Sequence, residues 1–171
     1  MKRSAAGFTL LEILVVIGIA LVITAIAVPM ASNAMRSYRL MAAVSAATGA
    51  IQSTRYAAIM HGYPYEITFT PPKTYQILTE IPPATTYSPV VNLGGTLVPT
   101  SPIPITGAGD MAISRPVTFQ FMPGGTVTET SNNMVFQIYY INPATDTAYT
   151  TSGSSNTITV SGVGNVSVRS P

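Results

Sequence analysis

Cysteine and tryptophan are absent from this chain of 171 residues, histidine occurs once, and only 8% of the residues are charged. Without cysteine there is no disulfide framework and no thiolate to act as nucleophile or metal ligand. The single histidine, His61, and the scattered acids Glu66, Glu80, Asp110, Glu129 and Asp146 form no metal-ligand spacing. No nucleophile-elbow motif accompanies the many serines, and Gly107-Ala108-Gly109-Asp110 is followed by no helical pattern that would make it a phosphate cradle. The expectation is a non-enzymatic protein with no catalytic residues, no cofactor, no metal and no small-molecule substrate. His61 reads as a histidine in the last turn of a helix, where the dipole favours it. Tyrosines such as Tyr63, Tyr65, Tyr75, Tyr139 and Tyr140 read as sheet packing.

What is present is concentrated at the start. Met1-Lys2-Arg3-Ser4-Ala5-Ala6-Gly7 is a short basic leader, and from Phe8 to Val28 the chain is apolar except for Glu12. About 21 residues give roughly 31 Å of helix, which matches the hydrocarbon thickness of a bilayer. Lys2 and Arg3 hold the N-terminal side in the cytoplasm, so the rest of the chain lies across the membrane. An ordinary secretory signal would be cut after its apolar stretch. Here the glycine precedes it, and a cut between Gly7 and Phe8 removes the leader while leaving the anchor. That cut also leaves six basic side chains against six acidic ones, so the basic pI of 9.0 belongs to the precursor. A neutral mature chain exerts no long-range pull on nucleic acid.

Glu12 needs an explanation, because an ionisable group inside a span costs on the order of 2.5–3.5 kcal/mol on insertion scales. The nearest basic side chain of the mature protein is Arg36, 24 residues on and about 36 Å away along a helix. The one cation at the same depth is the new amino group of Phe8, whose reference pKa of about 7.7–8.0 keeps it mostly charged at neutral pH. The pairing is open between one chain and two: Glu12 of one subunit with Phe8 of the next would set the register of an assembly. A plain anchor, with the acid neutralised by protonation, is the alternative.

Beyond the span, residues 30–61 keep helical character, with Leu40, Val44, Ala47, Ile51 and Ala58 on one three-and-four row and Gly62 as the stop. The expected helix runs from Phe8 to His61. Pro29 lies inside it and marks a kink; Gly18 and Pro29 are candidate points of bending, or Pro29 a static kink. After Gly62 the period changes to that of strands. Tyr63–Phe69 and Thr74–Thr79 read as a hairpin across Thr70-Pro71-Pro72-Lys73, followed by a long loop over 81–114 with short strands near Val90–Leu93 and Leu97. Further strands are expected at Val117–Phe121, Thr126–Thr128, Met134–Ile141, Thr157–Ser161 and Asn165–Arg169. The division is then a leader over 1–7, a transmembrane helix over 8–29, which the resemblance given next implies is also a filament core, an amphipathic second half over 30–62, and a β-rich head over 63–171.

Gly7-Phe8-Thr9-Leu10-Leu11-Glu12, followed by Ile13-Leu14-Val15-Val16-Ile17, resembles the class III signal of type IV pilins and of the pseudopilins of type II secretion. The resemblance implies that a prepilin peptidase in the inner membrane cuts between Gly7 and Phe8 and methylates Phe8, and that Glu12 is required for assembly. The later segments resemble the GspH/FimT family of minor pseudopilins and minor pilins. They are Ser53–Gly62 with its alanines and closing His-Gly, Val117-Thr118-Phe119-Gln120-Phe121 with Pro123-Gly124-Gly125, and Ile158–Ser161 with Gly164-Asn165-Val166. That likeness implies an α+β, pilin-like fold in which a long N-terminal helix packs its second half on an antiparallel β head of two small sheets. It also implies a single-pass inner-membrane protein with a periplasmic head, assembled with other pilins or pseudopilins into a pseudopilus or pilus. Two alternatives stay open: a major pilin, and a minor pilin that captures DNA. The second is weakened because Arg169 is the only basic residue of the C-terminal tail.

Overall fold

The structure is a computed structural model, and it describes residues 9–83, 85–89, 92–93, 96–97, 103–105, 111–129, 134–142, 147–148 and 155–170. Among the described residues there is one helix, α1 (Leu10–His61), followed by short strands. By its internal contacts the chain divides into Met1–Arg36 and Ser37–Pro171.

In the first unit the helix begins at Leu10, two residues later than the sequence suggested, because Thr9 stands outside it as a cap. Phe8 lies outside the described residues. Every described residue of this unit is exposed, including Leu10, Leu14, Ile17, Leu21 and Val28. Polar groups inside the apolar stretch satisfy themselves locally: Thr24 donates its hydroxyl to the Ala20 carbonyl at 2.8 Å, and Ser32 to the Pro29 carbonyl at 2.9 Å. The chain is helical on both sides of Pro29.

In the second unit, the row Leu40, Val44, Ala47, Ile51 and Ala58 is buried, joined by Ala43, Ala50, Thr54 and Ala57. Thr54 is tolerated there because its hydroxyl donates to the Ala50 carbonyl at 2.7 Å. The helix ends at His61, and Gly62 takes a φ of 74°, the left-handed conformation that closes helices.

The strands are β1 (Tyr65–Thr70), β2 (Thr74–Thr79), β3 (Ser88–Pro89), β4 (Asn92–Leu93), β5 (Thr96–Leu97), β6 (Ile103–Pro104), β7 (Met111–Ile113), β8 (Val117–Phe121), β9 (Val127–Glu129), β10 (Val135–Asn142), β11 (Thr147–Ala148), β12 (Ser155–Val160) and β13 (Val166–Arg169). All pairings are antiparallel. One sheet runs β3-β2-β1-β8-β9 with β6 also on β2; a second runs β11-β10-β12-β13 with β7 also on β10; β4 and β5 form a small hairpin. This is an α+β, pilin-like arrangement. The strands β3, β6, β7 and β11 fall where the sequence suggested no strand. The clearest departure is β7, whose three residues are all buried against β10. A segment so short has no period to read, and its burial is imposed by the longer neighbour.

The alternation in β1 and β8 buries Tyr65, Ile67 and Phe69 beside Val117, Phe119 and Phe121 and turns Glu66, Thr68, Thr118 and Gln120 outward. From the second sheet, Phe136, Ile138, Ile158 and Val160 join the same core. Phe69 stacks on Phe136 with ring centroids 4.9 Å apart, and Phe119 lies 6.1 Å from Phe136. These rings tie the two sheets together, each buried side chain being worth on the order of 1.5–3 kcal/mol of burial.

Candidate functional site

Thr9 caps the first turn of α1. The Glu12 backbone N–H donates to the Thr9 Oγ1 at 3.2 Å, and the Ile13 N–H donates to the Thr9 carbonyl at 3.2 Å. A threonine at this position satisfies a backbone donor that has no partner within the helix. Glu12 is exposed on the helix surface in the first turn. The carboxylate is therefore carried at a fixed position, immediately after a cap, at the start of an apolar helix long enough to cross a membrane. Gly7 and Phe8 lie outside the described residues, so the geometry of the junction itself is given by its sequence distance from Thr9.

Residues 2–28 match the family model for the prokaryotic N-terminal methylation motif. The chain carries a prepilin-type signal. The match supports the pilin and pseudopilin superfamily and indicates a type IV pilin-like precursor that prepilin peptidase processes. No curated protein and no solved structure matches the chain. The signal and the one apolar N-terminal helix fit a single-pass, membrane-anchored pilin.

Elsewhere the structure separates the remaining candidates. His61 is exposed; its Nδ1 lies 2.7 Å from the Tyr65 Oη, and its ring stacks on Tyr63. Asp110 and Asp146 lie outside the described residues, and among the described residues no three His, Asp or Glu side chains gather. Arg169 is exposed on β13, opposite Thr157. Glu66, on the outer face of β1 between Leu78 and Gln120, is half-buried, and burial pushes its carboxyl above the ordinary value of 4.5, partly offset by the Thr68 hydroxyl that donates to it at 3.3 Å.

The sequence reading passed over Arg55. It is half-buried at the edge of the packed helix face, and its guanidinium donates from Nε to the Gly125 carbonyl at 3.2 Å and from Nη1 to the Gly164 carbonyl at 3.3 Å. Both glycines take a φ of 79° in turns, Gly125 before β9 and Gly164 before β13. One cation of the helix thus pins a turn of each sheet. The available signal was a charged residue one step from the buried Thr54 and Ala58 row, facing two glycine turns far away in sequence.

Proposed function

We propose that the chain is a structural subunit of the GspH/FimT kind, a minor pseudopilin or minor pilin that prepilin peptidase cuts between Gly7 and Phe8 and methylates at Phe8. It assembles with other pilins or pseudopilins into a type II secretion pseudopilus or a type IV pilus, in the complex that starts or tips the filament. The head lies in the periplasm.

The observation that carries this reading is the placement of Glu12 by the Thr9 cap at the start of the apolar helix, four residues after Phe8. Cutting before Phe8 creates an amino group within the same turn's depth as the carboxylate. In hydrocarbon the two charges stabilise each other far more than in water. A pair formed between subunits fixes the axial offset of one helix against the next. The likeness of the head motifs to GspH/FimT supports the minor-subunit role, and the α+β head supports a pilin rather than a bare anchor.

The test is incorporation. Glu12→Ala, produced beside the wild-type chain, should reach the membrane in equal amount, since an ionisable group has been removed from the apolar span, yet be depleted from sheared filaments. Equal representation of variant and wild type in the filaments would refute the assembly role.

A further inference from the structure

Arg55 has two bonds to carbonyl groups and no carboxylate partner among the described residues. A guanidinium carries five N–H donors and a charge that is never given up, so three donors and the positive charge face the solvent side, where a partner can replace water. Beside it opens a cavity of about 390 Å³ lined by Gln52, Tyr56, Ile59, Asn165 and Val166 in addition to Arg55 itself. Gln52 and Asn165 supply amide donors, one from the helix and one from the turn before β13. Tyr56 and Ile59 are exposed apolar walls.

The neighbouring edge of the second sheet is also uncovered. Val168 lies across from Ile158 in the register of β12 and β13 and so points to the same side of the sheet, yet Ile158 is fully buried while Val168 is 46% exposed. A groove of about 490 Å³ runs there between Val168 and the helix residues Leu40, Met41 and Val44. The outer edge of β13 has no strand beside it among the described residues. A free anion would need only the guanidinium. An uncompensated charge set in an apolar rim, next to an incompletely covered sheet edge, suits an acidic side chain carried on an apolar protein surface.

We propose that Arg55 and its cavity receive a carboxylate side chain of a neighbouring pilin-type subunit, with the apolar flank of that subunit seated against Tyr56, Ile59 and β13. This rests on the filament reading above. Replacing Arg55 itself would also loosen the Gly125 and Gly164 turns, so the informative substitution is Tyr56→Glu, which sets a carboxylate of the chain's own at the cavity rim. Tyr56→Gln has nearly the same shape without the charge.

The experiment places a photo-crosslinking amino acid at Gln52 in the full-length protein, in membranes of cells that make its filament partners, and identifies the captured peptide by mass spectrometry. The expected product is an Asp- or Glu-containing head peptide of a chain that bears the N-terminal methylation signal. Its yield should fall roughly tenfold with Tyr56→Glu and change little with Tyr56→Gln, because competition for the cation acts through charge. Capture of lipid, of nucleic acid or of a chain without that signal, or equal loss with both substitutions, would overturn the proposal. Glu12→Ala is followed in parallel. If filaments exclude Glu12→Ala but Gln52 captures no such peptide, the cavity proposal alone fails; if filaments accept Glu12→Ala, the assembly reading fails first.

Discussion

Arg55 and Gly164 occupy one another's space: a Cβ built on Gly164 would lie 2.6 Å from the Arg55 Nε, while the Gly164 carbonyl accepts the Nη1 hydrogen bond. The contact exists only because position 164 has no side chain and takes a φ of 79°. Gly164→Ala should therefore destabilise the protein by about 1–3 kcal/mol, combining left-handed backbone cost with the clash. Urea unfolding of the protein in detergent measures this. In an Arg55→Ala background the clash is gone and only the backbone cost remains, so the same substitution should cost less there. Equal costs in both backgrounds would show that the contact contributes nothing.

Processing is read directly by mass. The mature protein should lack residues 1–7 and carry one methyl group on Phe8. Replacing Gly7 with a bulky residue should leave the uncut precursor in the membrane. A mature protein that keeps Lys2 and Arg3 contradicts the proposed cut.

Thr9 holds the first turn through the Glu12 N–H. Thr9→Val keeps the shape and removes the acceptor, a loss of roughly 0.5–2 kcal/mol in helix-capping energy. The turn that positions Glu12 should fray, so incorporation into filaments should fall, though less than with Glu12→Ala. Thr9→Ser keeps the hydroxyl and should behave as wild type. Quantitative mass spectrometry of sheared filaments compares the three.

Glu66 makes stability depend on pH in a predictable direction. Its carboxyl sits above the ordinary 4.5 in the folded protein because burial disfavours the charge, so the native state holds this proton more tightly than the unfolded chain. The stability it confers is fully present below the unfolded value and is lost as pH rises through the folded one. Glu66→Gln removes the titration while keeping a carbonyl oxygen for the Thr68 hydroxyl. Unfolding curves of the two proteins should converge at low pH and separate as pH rises from the ordinary value of 4.5, with the variant the more stable. A constant difference across that range would show that Glu66 is not the group responsible.

DNA capture would require several cations facing phosphates, and β13 presents Arg169 as its one basic residue. Mobility-shift measurements with the full-length protein in neutral detergent should show no salt-sensitive binding at moderate concentration. A clear shift, lost on adding salt and weakened by Arg169→Ala, would restore the DNA-binding reading.

The helix was legible because its information is local. Leu40, Val44, Ala47, Ile51 and Ala58 repeat at the helical period, and all five are buried. The hairpins β1–β2 and β12–β13 were legible too, since they join neighbouring segments through turn residues, whereas the cap at Thr9 that starts the helix at Leu10 was not read. Tertiary packing decided what no local pattern contains. It set β1 beside β8, with Ile67 opposite Phe119, buried the three residues of β7 against β10, and brought Phe69 onto Phe136. It also carried Arg55 to carbonyl groups 70 and 109 residues away. Sequence period states which face of an element is apolar; which strand covers that face, and which distant turn meets a charged side chain, follows only when the whole core closes at once.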